Sequence, residues 1–125
     1  MNIPNGITLI DDWTFGYCAN LNSITIPNSV ATIGYRAFYQ NTNLKSISIP
    51  ANITDIGRQA FAECSNLNTV YCTPATPPSL GDTTGNEVFY LNASDRLIHV
   101  PRASVEAYKT AAGWSDYKDA IVGDL

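Results

Sequence analysis

The sequence predicts an α+β repeat solenoid: a parallel β-ladder of roughly 23-residue coils, closed by a helical C-terminal cap. Three observations carry this. The dipeptide Ile-Pro recurs at Ile3-Pro4, Ile26-Pro27 and Ile49-Pro50, with 23 residues between successive copies. The same step links Phe15, Phe38 and Phe61; Leu21, Leu44 and Leu67; Ile24, Ile47 and Val70; and Ile10, Ile33 and Ile56. Finally, 12 Asn, 8 Gly and 7 Pro among 125 residues imply dense turns, while a 45% hydrophobic content supplies a core.

Each coil has a physical reading. In Leu44-Lys45-Ser46-Ile47-Ser48-Ile49, apolar residues alternate with small hydroxyl residues, the pattern of a half-buried strand. Pro50 ends it, because proline cannot donate to a ladder. Ile53 and Ile56 turn inward from a second short extended stretch, and Gly57 provides a tight bend. Arg58-Gln59-Ala60-Phe61-Ala62-Glu63-Cys64 carries good helix formers, which predicts one or two helical turns. One coil cannot bury its own apolar residues, so Leu21, Ile24, Ile26, Phe38, Leu44, Ile47, Ile49, Phe61, Leu67 and Val70 are expected to form one shared core. The column Asn20, Asn43, Asn66 is expected to bond backbone groups of neighbouring coils.

One domain covers residues 1–125. Three coils occupy 1–72, the first truncated at its N-terminus, because Met1-Asn2-Ile3-Pro4 begins in mid-strand. Residues 73–101 form an irregular last coil: Pro74, Pro77, Pro78, Gly81 and Gly85 mark a loop, Val88-Phe89 restates Ala60-Phe61, and Ile98-His99-Val100-Pro101 supplies a fourth strand that closes the ladder. Residues 102–125 form the cap. Ser104 is its N-cap, Val105, Tyr108 and Ala112 share a face, Gly113 stops the first helix, and Trp114, Tyr117 and Ile121 continue as a second stripe. The expectation is a C-terminal piece of a longer protein whose uncapped first coil frays or self-associates.

The repeat Leu44-x-x-Ile47-x-Ile49-Pro50-x-x-Ile53-x-x-Ile56-Gly57-x-x-Ala60-Phe61-x-x-Cys64 resembles the leucine-rich repeat of BspA-like proteins of the bacterial surface. The tail segments Ile98-His99-Val100-Pro101, Val105-Glu106-Ala107-Tyr108-Lys109 and Gly113-Trp114-Ser115-Asp116-Tyr117 resemble that family's usual ending. The resemblance implies a short right-handed β-α superhelix in a secreted or cell-surface interaction module associated with adhesion. It carries over no catalytic motif and no cofactor.

The remaining chemistry agrees with a non-enzyme. Seven Lys plus Arg stand against eleven Asp plus Glu, so the chain lacks the basic face that nucleic acid requires. No apolar run approaches the ~20 residues of a membrane span. The start of the chain has neither the basic residues nor the apolar core of a secretory signal. Cys18, Cys64 and Cys72 lack metal-ligand spacing; Cys18 and Cys64 share a column two coils and ~10 Å apart by the strand spacing, too far for a disulfide. A Cys72–His99 pair fails on geometry, since strand alternation aims Cys72 inward and His99 outward. A hydrolase would need positioned carboxylates or His99, and no motif positions them.

Binding residues are more promising. With Ala37 and Phe38 in core columns, Tyr35 and Tyr39 are expected outward, and Trp13 and Tyr17 repeat their spacing in the coil before. Flanked by Arg36 and Gln40, these four rings would form an aromatic strip of the residue types enriched in binding hot spots, and rings also suit sugars. A second candidate is the ladder face bearing Tyr71 and His99. Against both stands the reading that the rings cover grooves between coils. The expected partner is a protein or glycan of a host or neighbouring cell. The alternative is a terminal spacer with no ligand of its own.

Overall fold

The computed structural model describes residues 3–81 and 87–125; Met1 and Asn2 of the expected truncated first strand and Gly85 of the predicted loop lie outside them. Two parallel sheets run along the solenoid. One contains β1 (Leu9–Ile10), β2 (Thr32–Ile33) and β4 (Asp55–Ile56); the other contains β3 (Ser46–Ile49), β5 (Thr69–Cys72), β6 (Leu97–Val100) and β7 (Ile121–Gly123), in those orders. Registers follow the repeat: Thr32 faces Leu9 and Asp55, and Ile47 faces Val70. Between β5 and β6 the step lengthens, with Val70 opposite Ile98, and it returns to 23 where Ile98 faces Ile121.

That last pairing corrects the cap. Residues 102–125 are not a pair of helices beyond the ladder. They form a further coil, in which α1 (Val105–Thr110) and a 3-10 segment (Trp114–Ala120) lead into a fifth strand position, β7. Ser104 does not cap α1; it is buried and its hydroxyl donates to the Ala75 carbonyl at 2.7 Å. Ala112 is exposed, and Ala111 packs on the core in its place. The helix ends before Gly113, whose positive φ of 81° starts the next turn.

The expected helical turns of each coil are also absent. From Gly57 to Cys64 the chain makes two successive tight turns, with Ala60 N–H donating to Gly57 and Ala62 N–H to Gln59. The intervening N–H groups reach the next coil: Phe61 donates to Val88 at 3.0 Å and Glu63 to Tyr90. Arg36, Phe38 and Gln40 do the same toward Arg58, Ala60 and Ala62. A helix would direct every donor back along its own chain. Here the demand for coil-to-coil bonds overrides helix propensity, and the corners Gln59 and Glu63 take left-handed φ values of 56° and 57°.

Strand alternation puts Ile47 and Ile49 in the core and Ser46 and Ser48 outside, as expected. Through the core runs a continuous stack of rings. Phe15–Phe38, Phe38–Phe61 and Phe61–Phe89 are separated by 5.3, 5.1 and 5.8 Å and tilted by no more than 16°, and Trp114 closes the series at 5.9 Å from Phe89. The column Cys18, Asn41, Cys64, Asn92 runs beside it. Asn41 is fully buried and donates to the carbonyls of Phe15 and Phe38 at 2.8 and 2.7 Å, while Asn92 donates to Phe61. The anticipated Asn43 and Asn66 also bridge coils, to Ala19 and Thr42, but from exposed positions.

Gly57 is needed for close approach between coils rather than for an unusual bend. A Cβ there would sit 2.5 Å from the Tyr35 nitrogen and 2.6 Å from the Gly34 carbonyl carbon. Gly34 meets Asp11 and Asp12 in the same way. Because the obstructing atoms are backbone, Gly57→Ala should destabilise by about 3 kcal/mol, the upper part of the overpacking range. Urea unfolding would check this, and a loss below about 1 kcal/mol would show that the coils can separate without penalty.

Candidate functional site

The turn side of the solenoid carries the aromatic cluster. Its side chains come from corner positions that project sideways between coils. Two columns of such corners have left-handed backbones throughout: Trp13, Arg36, Gln59, Glu87 and Tyr17, Gln40, Glu63, Leu91. Tyr35 and Tyr39 each stand one position before a corner, so the four rings interdigitate instead of stacking in two columns. Trp13 and Tyr17 lie parallel, 5.8 Å apart and 11° from coplanar orientation. Tyr39 meets both edge-on, at 5.8 and 5.5 Å. Gly16 makes this possible, since a Cβ there would come within 3.0 Å of the Trp13 ring.

Tyr39 therefore does not point outward. It is only 8% exposed, and its hydroxyl donates to Glu63. That bond raises the phenol pKa above its ordinary value, with burial and the Glu63 charge acting in the same direction. Tyr35 is half-buried. The guanidinium of Arg36 sits among Trp13, Tyr35 and Tyr39, 5.1, 5.1 and 4.6 Å from their centroids, and its Nε donates to Gln59 at 2.5 Å. Gln59 donates onward to Glu87 at 3.1 Å, and Arg58 pairs with the same carboxylate at 3.6 Å. Three members of the expected strip thus build a support, leaving Tyr17 and Trp13, 58% and 38% exposed, as its accessible surface.

Gln40 holds the flanking position expected of it and donates a hydrogen bond to Glu63, whereas the support residues Gly16, Gln59 and Glu63 and the exposed neighbours Tyr90 and Leu91 were not expected at the site. Their columns are visible at the repeat step, but which corner faces solvent depends on the left-handed backbone.

On the ladder face, Tyr71 and His99 pair in register as expected and stack at 5.3 Å. His99 Nδ1 lies 3.0 Å from both oxygens of Asp124. Cys72 points into the core on the other side of the sheet, its sulfur 3.4 Å from the Tyr108 hydroxyl. The Cys72–His99 pair is therefore not brought together. Among the described residues no group of three or more His, Cys, Asp or Glu is placed to hold a metal ion, and no helix is long and apolar enough to cross a membrane.

Burial pushes the Cys64 thiol up to about 11 and Cys72 up to about 12, offset in part by hydrogen bonding of Cys64 with the Asn41 backbone and of Cys72 with the Tyr108 hydroxyl. Only Cys18 is partly accessible. A disulfide-exchange reagent should therefore modify one thiol per native chain and three after denaturation; rapid reaction of all three in the native state would contradict this packing. Since an unfolded thiol ionises near 9 and these two later, their contribution to stability is complete below pH 9 and is lost as pH rises toward 12.

Comparison with known proteins fits this architecture. The sequence model of the BspA-type leucine-rich repeat region matches residues 1–108 in six copies. A leucine-rich cell surface protein of Faecalibacterium prausnitzii is similar in structure, with 44% identity over 57% of this chain and a TM-score of 0.55. A leucine-rich repeat protein of Bacteroides ovatus gives 20% identity over 79% of the chain and a TM-score of 0.49. The chain spans 18% and 32% of the lengths of these two proteins. No curated protein matches it significantly. With its repeats matched over most of its length, the chain belongs to the BspA-type leucine-rich repeat family.

Proposed function

We propose that this chain is a non-catalytic binding module of a bacterial secreted or surface protein, engaging a protein or glycan through the turn-side aromatic patch. The carrying observation is the exposed, parallel Trp13–Tyr17 pair, held by Tyr39, Arg36 and Gly16. Large rings fixed before contact lose little conformational entropy on binding. The cell-surface description of the Faecalibacterium protein supports the location. The ladder pair Tyr71–His99 is a second candidate surface, because Tyr71 also stays exposed while stacked.

The test is binding to a panel of mucins, matrix proteins and glycans, with Tyr17→Ala and Trp13→Ala beside the native chain. These positions suit the test better than Tyr39, whose loss would remove buried packing. Specific binding lost in both variants at unchanged thermal stability supports the proposal. Binding that survives both moves the site to the ladder face. No binding by the native chain favours the alternative of a structural terminal spacer for a longer array.

A further inference from the structure

We propose that the ligand is an uncharged oligosaccharide lying along the solenoid axis, over the column of corners that runs from Tyr17 to Leu91. This rests on the turn face being the binding face and names the chemistry it takes. The column Tyr17, Gln40, Glu63, Leu91 has its two apolar members at its ends, and they are the most exposed large hydrophobic residues described, at 58% and 56%. Both hold left-handed backbones, with φ of 60° and 55°. Every corner of the column shares this conformation, so what sets these two positions apart is an exposed apolar side chain, where Gln40 and Glu63 are tied together by a hydrogen bond.

Between these ends lies a polar floor. A cleft of about 290 Å³ is lined by Gln40, Thr42, Glu63, Ser65 and Leu91. Glu63 is held in place: one oxygen accepts from the Tyr39 hydroxyl and the other from Gln40 Nε2 at 3.0 Å. Each carboxylate oxygen keeps a further lone pair for a ligand hydroxyl. Thr42 and Ser65 add hydroxyls that can donate or accept. Vicinal diols match this mixture of acceptors and two-way groups, while the C–H face of a sugar matches the Tyr17 ring.

Charge and backbone narrow the class. Among the described residues no lysine or arginine lines the cleft, and nearby Arg36 is enclosed by three rings. With Glu63 on the floor, sulfated or sialylated chains are repelled. An extended peptide adding to a sheet would need unpaired backbone groups, yet Tyr17 and Gln40 already donate their N–H groups to the next coil. Tyr17 and Leu91 are three coils apart, about 14 Å at the ~4.8 Å spacing of neighbouring strands. One coil per sugar suits an extended chain.

The experiment is an array of neutral β-linked oligosaccharides, sialylated and sulfated glycans, and matrix proteins, followed by calorimetry on the hits. The native chain should favour neutral oligosaccharides. Tyr17→Ala and Leu91→Gly should each weaken them by roughly tenfold, the scale of one lost hot-spot contact. Leu91→Gly relieves backbone strain, so its melting temperature should hold or rise, and lost binding cannot then be ascribed to unfolding. Preference for anionic glycans, or neutral-glycan affinity unaffected by both variants, overturns the proposal. If only a matrix protein binds, and Tyr17→Ala abolishes it, the glycan assignment fails while the turn-face reading stands. If nothing binds, both fail together.

Discussion

Phe61→Ala is expected to destabilise the chain by about 3–5 kcal/mol, the cost of emptying a large, fully enclosed aromatic site. Phe61 is completely buried and has a ring on each side, Phe38 at 5.1 Å and Phe89 at 5.8 Å. In a solenoid each coil contacts only its neighbours, so stability is roughly a sum of coil and interface contributions. Removing a middle ring weakens two interfaces at once. Neighbouring rings cannot close the gap, because the backbones of adjacent coils are fixed by Phe61 N–H to Val88 and Phe38 N–H to Ala60. Phe15→Ala should cost less, since Phe15 is only partly buried and has one stacking partner, Phe38. Denaturant unfolding of both variants would check the ordering. A Phe15 variant as unstable as the Phe61 variant would show that the stack does not act through pairwise interfaces.

The second large effect is at the C-terminal coil. Trp114 is fully buried, packs against Phe89 and at 5.0 Å against Tyr108, and donates from Nε1 to the Pro78 carbonyl at 2.8 Å. Tyr108 donates likewise to the Pro74 carbonyl at 2.6 Å. These two rings tie the irregular proline loop to the core, because each apolar body fills the end of the stack while its polar tip satisfies a loop carbonyl. Trp114→Ala should cost about 3–5 kcal/mol and expose the end of the ring stack to solvent. Trp114→Phe keeps most of the packing but strands the Pro78 carbonyl, for about 1–3 kcal/mol. Increased dye binding to apolar surface should accompany the alanine variant and be weak in the phenylalanine variant. Equal destabilisation by both would mean that the hydrogen bond outweighs the packing.

Much of this molecule can be read from its residues in order. Alternation in Ser46-Ile47-Ser48-Ile49 places core and surface without coordinates, and the registers of Ile33 with Ile56 and Val70 with Ile98 follow from matched motifs. The four-ring cluster was also visible as a set of residues. Its division into support and accessible surface was not. Tyr39 turns inward because Glu63, one coil away, accepts a hydrogen bond from its hydroxyl, and Arg36 is enclosed because rings from two coils converge on it. The deciding partners, Glu63 for Tyr39 and Trp13 for Arg36, each come from the neighbouring coil.

Repeat length, core membership and family follow from residue order alone, because a periodic apolar column has one way to be buried when coils stack. The form of the turn segments, the strand hidden in the C-terminal coil, and the choice of rings that meet solvent emerge only once the coils pack together. One cause covers all three. Local propensity favoured helix at Arg58–Cys64 and in the cap, but each of these segments answers to hydrogen bonds and packing from the coil beside it.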